Sequence, residues 1–312
     1  KKEGMEGLVL DLRNNGGGSL KTVVDIAGLF IEKGPIVQVK SKMEGKEILE
    51  DKDPSIVWDG PLVILVNELS ASASEILAAA MQDYKRAIII GSKQTYGKGT
   101  VQNVIDLNTT VRSNEYGDLG ALKLTTQKFY RVNGGSTQLE GVKSDIVVPD
   151  RYSFIDIGEK DYANPLPWDQ IAAAKYKSWD GYIDFDKTIE NSKKRMVDNE
   201  QLNLISENAK WVRDQRDNEV YSLNFSNYQS QREYLEKEAK KYDAISDYTS
   251  NLTYNSLPYE VEMYKSDTIL KEKRDRWHTS LTGDVYVEEA INVLDDIQVN
   301  NIKKRKVANL KN

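Results

Sequence analysis

Hydrophobic positions along this chain follow two kinds of pattern. GLVLDLR (7–13), PLVILVN (61–67) and AIIIG (87–91) are short, nearly continuous apolar runs, as expected of strands covered on both faces. IVQVK (36–40) alternates, as a strand with one buried face does. SLKTVVDIAGLFIEK (19–33) and SEILAAAMQDYKR (74–86) repeat apolar residues at helical spacing. The order strand 61–67, helix 74–86, strand 87–91 predicts a βαβ unit with parallel strands. Further on, ALKLTTQKFYRVNGGSTQ (121–138) reads as a strand that turns at Asn133-Gly134.

Beyond residue 150 the character changes. Residues 1–150 hold 17 of the 20 glycines. Glycine marks tight turns between strands, and its loss together with a rise in Lys and Glu signals long helices. The expected organisation is an α/β core over 1–150 and a mainly α-helical domain over 151–312, joined between Pro149 and Pro167. NPLPWDQIAAA (164–174) reads as a linker docking Trp168 ahead of a helix. NFSNYQSQREYLEKEAKKY (224–242) reads as a helix capped by Ser226, and DVYVEEAINVLDDI (284–297) as one capped by Asp284. The basic run Lys303, Lys304, Arg305, Lys306 reads as a solvated tail, and there is no internal repeat.

If strands 7–13, 61–67 and 87–91 all run parallel, the loops that follow them meet on one sheet edge. Open α/β sheets bind ligands at that edge. The loops are RNNGGGSL, ELSASASE and SKQTYGKGT, and each has a plain reading beside a chemical one. Gly16, Gly17 and Gly18 turn the chain, or they expose backbone N–H groups that hold an anion. Ser70, Ser72 and Ser74 head a helix; Ser72 with Glu75 fits the S-x-x-E capping box, and a serine here is equally a candidate nucleophile. Lys98, between Gly97 and Gly99, is a loop lysine or a base, and no acidic residue stands from Gly91 to Ile105. The same loop approaches a phosphate-binding G-x-x-x-x-G-K-[ST] pattern. Five residues rather than four separate Gly91 from Gly97, Gly99 replaces the Ser or Thr, and the extended-looking TVQNVIDL follows where a helix belongs. Nucleotide binding is set aside on those grounds.

Composition narrows the chemistry. The 312 residues include no cysteine, which excludes disulfides, thiol nucleophiles and thiolate metal sites. His278 is the single histidine, in the charged stretch KEKRDRWHTS, and reads as solvated. A His-rich zinc site is therefore excluded, and a Ser-His-Asp triad would have to use His278. Serine, lysine and glycines without a suitable histidine point to acyl transfer by a Ser-Lys pair, with no cofactor. The serine hydroxyl needs a base, and lysine, with a free pKa of about 10.4, serves only when neutral. Burial away from carboxylates favours the neutral form. A net charge of −6 gives no reason to expect nucleic acid. No apolar run approaches the roughly 18 residues of a membrane span, and no signal peptide is visible. The chain enters a buried-strand pattern almost at once, so it reads as a fragment or a processed product.

These residues resemble a known family. GLVLDLRNNGGGSL, SASASEILAAAMQDYKRAIIIG, TYGKGTVQ and KFYRVNGGSTQLEGVKSDIVVP resemble the carboxyl-terminal processing peptidases, most closely their tail-specific protease branch, from about Gly7 to Pro149. NPLPWDQI, YSLNF and DVYVEEAINVLDDI are similar to that branch's helical C-terminal region. The resemblance implies an α/β (α+β) peptidase core of ClpP/crotonase-like fold and a serine endopeptidase with a Ser-Lys dyad. It implies Ser72 as nucleophile, Lys98 as base and Gln102 as the residue orienting Lys98. The implied oxyanion donors are the Ala73 amide and a glycine-loop amide, taken as Gly17 with Gly16 and Gly18 as alternatives. Ser70 and Ser74 would shape the turn and the helix start, and Asp83, about three helical turns on, is read as structural. Protein substrates with apolar C-terminal tails, an adaptor protein and a periplasmic location are implied as well. The PDZ domain and N-terminal helical region that precede the first strand in this branch are missing from the sequence. The second reading is a non-catalytic substrate-holding or adaptor-binding module with an idle peptidase core.

Overall fold

A computed structural model of the chain describes residues 4–310 other than 43, 112–114, 116 and 182, with side chains described through residue 300. The side chains of the basic run 303–306 lie outside the described residues. Chain contacts form two units. One comprises Leu10–Asp145 and Asp156–Ile183; the other comprises Lys1–Val9, Ile146–Ile155 and Asp184–Asn312. The change of composition near residue 150 falls in the stretch where the chain passes between them.

In the first of these units, β1 (Leu8–Asp11, which begins in the other unit), β4 (Leu62–Val66) and β5 (Ile88–Gly91) are neighbours in that order in one sheet. β4 and β5 are parallel, with Val63 opposite Ile88 and Val66 opposite Gly91, as the βαβ pattern predicts. All five β4 residues are buried, which is why this run shows no polar alternation. α2 (Ala73–Asp83) makes the crossover. Gly91 has φ +149° and approaches Val66 so closely that a Cβ would meet its carbonyl oxygen at 1.8 Å. A side chain there would push β5 off β4.

A second, antiparallel sheet has the order β3-β2-β7-β6, from β2 (Gly34–Ser41), β3 (Gly45–Asp51), β6 (Thr100–Asp106) and β7 (Ala121–Tyr130). β6 is extended, as TVQNVIDL suggests. The outer part of the β6–β7 hairpin exposes Val104, Ile105, Leu122 and Leu124. α1 (Leu20–Gly28) is capped by Ser19, whose side chain accepts from the Thr22 amide, and it packs beside α2. After β7 the chain turns at Asn133-Gly134, and Tyr130 bridges Ser136. Trp168 does dock, its indole donating to the Ser136 carbonyl at 2.9 Å. The helix expected after it is absent. The amides of Ile171 and Ala174 bond the carbonyls of Gly134 and Val132 at 2.9 and 2.8 Å. Strand-like pairing with that turn holds IAAA extended despite its helix-forming residues.

The other unit contains the two-residue strand β8 (Ile146–Val147) and six helices among the described residues. They are α3 (Phe185–Val197), α4 (Glu200–Arg216), α5 (Phe225–Ala239), α6 (Pro258–Tyr264), α7 (Thr268–Thr282) and α8 (Val285–Leu310). Asp284 caps α8 as expected, accepting from the Tyr286 and Val287 amides. The cap of α5 is Asn224 rather than Ser226: the Asn224 side chain accepts from the Asn227 amide at 3.1 Å, which places Ser226 inside the helix. α8 buries Ala290, Val293, Leu294 and Ile297, a helical stripe. Beside it, Arg195 of α3 forks onto Glu289 and reaches Asp296, both at 2.7 Å, and the Ser192 hydroxyl donates to Glu289 at 2.6 Å. Among the described residues no helix is long and apolar enough to cross a membrane.

Glu289 is 4% exposed, so removing its fork leaves a buried carboxylate short of partners. Because the Arg195 side chain is itself about a third exposed, Arg195→Ala should destabilise the fold by about 2 kcal/mol, less than a fully buried pair. Lys21→Ala, at a largely exposed pair with Asp25, should cause no measurable change. Urea unfolding of both variants checks the contrast.

Candidate active site

The three loops singled out by their sequences meet in the structure. The glycine loop follows β1, the serine turn follows β4, and the lysine loop follows β5. Asn14 and Asn67 exchange hydrogen bonds at 2.9 Å, amide to side chain and side chain to side chain. The Asn15 carbonyl accepts from the Ala71 amide and from the Ser74 hydroxyl, both at 3.0 Å. The Ser70 hydroxyl donates to the Leu12 carbonyl at 2.8 Å and accepts from the Asn67 amide at 2.9 Å. Ser70 and Ser74 are thus buried pins joining the serine turn to the glycine loop.

Ser72 differs from both. It is half-buried, stands at the N-cap of α2, and has φ +57°, ψ −114°. That is a backbone conformation suited to glycine, held in a serine by the surrounding bonds. The S-x-x-E pattern predicts reciprocal capping, and one half forms: Glu75 Oε2 accepts from the Ser72 amide at 2.8 Å, whereas the Ser72 hydroxyl makes no capping hydrogen bond. Among the described residues the adjoining Ala73 amide has no hydrogen-bond partner, as expected for the first turn of a helix.

Gly17 (φ +106°) lies against this turn. A Cβ on it would meet Ser72 Cβ and the Ala71 carbonyl oxygen at 2.7 Å and the Ala73 nitrogen at 2.9 Å. Its own amide donates to Asn15 Oδ1 at 2.9 Å. Gly16 and Gly18 have open space where a Cβ would stand. Of the three glycines, Gly17 is the one whose missing side chain the serine turn requires.

Lys98 is half-buried, and among the described residues its ammonium makes no ion pair or hydrogen bond. No hydrogen bond joins it to the Ser72 hydroxyl. The two residues are tied through backbone instead. Glu75 Oε2 accepts from the Ser72 amide at 2.8 Å and the Lys98 amide at 3.0 Å, so these nitrogens are less than about 6 Å apart. Glu75 Oε1 accepts from the Thr95 hydroxyl and the Gly97 amide, both at 2.7 Å. The Tyr96 amide adds a bond to the Ser70 carbonyl at 3.0 Å. Gln102 lies on β6 opposite Thr125, exposed, with no side-chain bond to Lys98. Asp83 holds Arg131 at 2.6 Å and Asn133 at 2.9 Å, a link between the end of α2 and the turn after β7. His278 lies on α7 against the Trp277 ring.

Glu75 is the residue that sequence reasoning undervalued. Its spacing to Ser72 shows only the local half of its role; three of its four donors come from 20 to 23 residues away. It is completely buried, and burial outweighs its four hydrogen bonds to push its pKa up to about 7 from the usual 4.5.

Serine at a strained helix entrance, an unpartnered amide beside it and a lysine loop on the same edge form a constellation suited to acyl transfer. Residues 1–148 match the profile of Peptidase family S41. Residues 152–298 match the C-terminal domain of tail specific protease. Residues 1–148 thus belong to peptidase family S41, and residues 152–298 are similar to the C-terminal domain of its tail-specific proteases. The chain is 44% identical to the tail-specific protease of Haemophilus influenzae over 70% of this chain and 32% of that protein. It is 40% identical to the carboxy-terminal-processing protease of Bartonella bacilliformis over 49% of this chain and 34% of that protein. The chain thus spans about a third of the length of these relatives. Among solved structures it is similar to the photosystem II D1 C-terminal processing protease, with a TM-score of 0.41 and 36% identity over 47% of this chain and 36% of that one.

The backbone at Ser72 makes a stability prediction. Ser72→Gly relieves the strained conformation, whereas Ser72→Ala keeps it. The glycine variant should be more stable than the alanine variant by about 1–2 kcal/mol, measured by chemical denaturation. Equal stability would mean that the backbone at 72 carries no strain.

Proposed function

We propose that this chain is the catalytic part of a serine endopeptidase acting through a Ser72–Lys98 dyad. The observation that carries this reading is the union at one point of Ser72 in a glycine-type conformation, the unpartnered Ala73 amide and the side-chain-free surface of Gly17. Ser72 Oγ attacks the scissile carbonyl carbon and its proton passes to Lys98 Nζ. The oxyanion is held by the Ala73 amide and by a glycine-loop amide, Gly17 once it leaves Asn15 Oδ1. As the C–N bond breaks, Lys98 returns the proton to the leaving amine. Water then attacks the acyl-enzyme ester carbonyl, giving its proton to Lys98; the C–O bond to Ser72 breaks and Lys98 returns that proton to Ser72 Oγ. Gln102, exposed on β6, is the residue assigned to orient Lys98 in this reading. The substrates are proteins bearing apolar C-terminal tails, presented with help from an adaptor protein, in the periplasm.

Lys98→Ala should abolish turnover in the full-length protein with little change in stability, because among the described residues the half-buried side chain makes no ion pair or hydrogen bond that the fold would lose. Lys98→Arg should be equally inactive, because arginine stays protonated and cannot accept a proton. Cleavage of an unstructured protein with an apolar C-terminus is the assay, and substantial activity in the arginine variant would remove Lys98 as the base. His278→Ala should leave the rate nearly unchanged; a loss of hundreds-fold in kcat with the fold intact would restore a histidine mechanism. Acylation of Ser72 by a serine-directed probe separates this enzyme from a non-catalytic substrate-holding module.

A further inference from the structure

Glu75 does more than cap a helix. Its two oxygens accept from four donors on two segments of chain: the Ser72 amide on one side, and the Thr95 hydroxyl and the Gly97 and Lys98 amides on the other. An ionised carboxylate is a pure acceptor with about four lone-pair sites, and here all are used. A proton on Oε2 would confront the Ser72 and Lys98 amides. A proton on Oε1 would confront the Gly97 amide and force the Thr95 hydroxyl to turn, although that hydroxyl already accepts from the Val142 amide at 2.8 Å. Either way the lysine loop loses an anchor.

We propose that Glu75 is a positioning residue whose ionisation is a switch: ionised, it locks the lysine loop to the serine turn; protonated, it lets the loop go. This rests on Ser72 and Lys98 being the reacting pair. The ionisable residues on the elements around Glu75 are Lys93, Tyr96 and Lys98 on the lysine loop, Arg13 at the glycine loop, Glu68 on the serine turn, Asp83 at the end of its own helix, Lys21 and Asp25 on α1, Lys40 on β2, and Glu140 and Lys143 beyond Thr95. Among the described residues no ionisable side chain makes an ion pair or hydrogen bond with its carboxylate; Lys98 reaches it only through its backbone amide. With the pKa at about 7 rather than 4.5, the switch works around neutrality. The sign follows from linkage. The folded chain holds this proton more tightly than the unfolded chain, so the stabilisation is full below about pH 4.5 and is lost as pH rises through about 7. The locked form is the one that costs stability.

The test reads the loop independently of catalysis. Amide hydrogen exchange at Gly97 and Lys98, corrected for intrinsic rates, is followed from pH 5 to 9 in full-length Ser72→Ala. Protection should rise at least tenfold through one transition near pH 7. Adding Lys98→Ala should leave that transition in place, and adding Glu75→Gln should abolish it. In the protein with Ser72 intact, Glu75→Gln should lower kcat at least tenfold with little change in KM. Protection that stays flat with pH, or a transition lost with Lys98→Ala, overturns the proposal. Should Glu75→Gln fail to fold, the Ser72→Ala and Ser72→Ala/Lys98→Ala profiles decide alone. A transition in exchange with no peptidase activity at any pH would overturn the dyad reading while leaving the lock demonstrated.

Discussion

A carboxylate buried without a counter-ion is a demanding thing to place in a protein interior. Glu75 is tolerated because three backbone amides and a hydroxyl, drawn from two separate segments of chain, surround it. The constraint works in both directions. The charge needs the loops, and the loops need the charge, since buried backbone N–H groups must be satisfied somewhere. The same logic continues outward through Ser70, Ser74, Asn67 and Asn14, each of which satisfies a polar group on a different loop. The site is ordered without regular secondary structure because each loop supplies the hydrogen bonds that its neighbour lacks.

Beneath the loops, the β4–β5 pair supplies the rigidity. β4 is sealed on both faces, and Gly91 lets β5 close onto Val66 with no gap. In the other unit, apolar burial is uneven. α8 carries a continuous buried stripe and, with α3, an ion-pair cluster, whereas α5, α6 and α7 contain no fully buried residue. Those three helices gain correspondingly little from burial, and their capping and i,i+4 pairs matter more.

How legible each part was in the sequence depends on how local its cause is. PLVILVN could be read because burial on both faces leaves an unbroken apolar run, and SEILAAAMQD because helix-forming residues follow a capping signal, although α2 buries every residue from Ala73 to Met81 rather than one stripe. Ser72, Lys98 and the glycines were legible because loops after parallel strands share an edge. β3 was not, because GKEILED has only one residue in seven apart from charge and exposure: its residues are exposed or half-exposed, and its pairing with β2 leaves no apolar run. The stretch 164–174 is the linker it reads as, but the helix expected after it does not follow, because backbone bonds to the 132–134 turn keep the chain extended. Asn224 outcompetes Ser226 at the start of α5 although both are good caps, a choice of two residues that propensity cannot resolve. The local cap at Glu75 was visible, but its partners at 95, 97 and 98 exist only once β5 lies beside β4.

The lysine loop is also held from its far side. The Lys98 carbonyl accepts from the Thr137 hydroxyl at 2.8 Å, the Gly99 amide donates to Gln138 at 2.9 Å, and the Leu139 amide bonds the Gly97 carbonyl at 2.8 Å. These clamps lie roughly forty residues downstream of Lys98. Chains emerge from the ribosome N-terminus first, at about 5–20 residues per second. For several seconds of its synthesis, then, each molecule carries Ser72 and Lys98 without the segment that holds them in register. Chain order alone builds in this latency during synthesis.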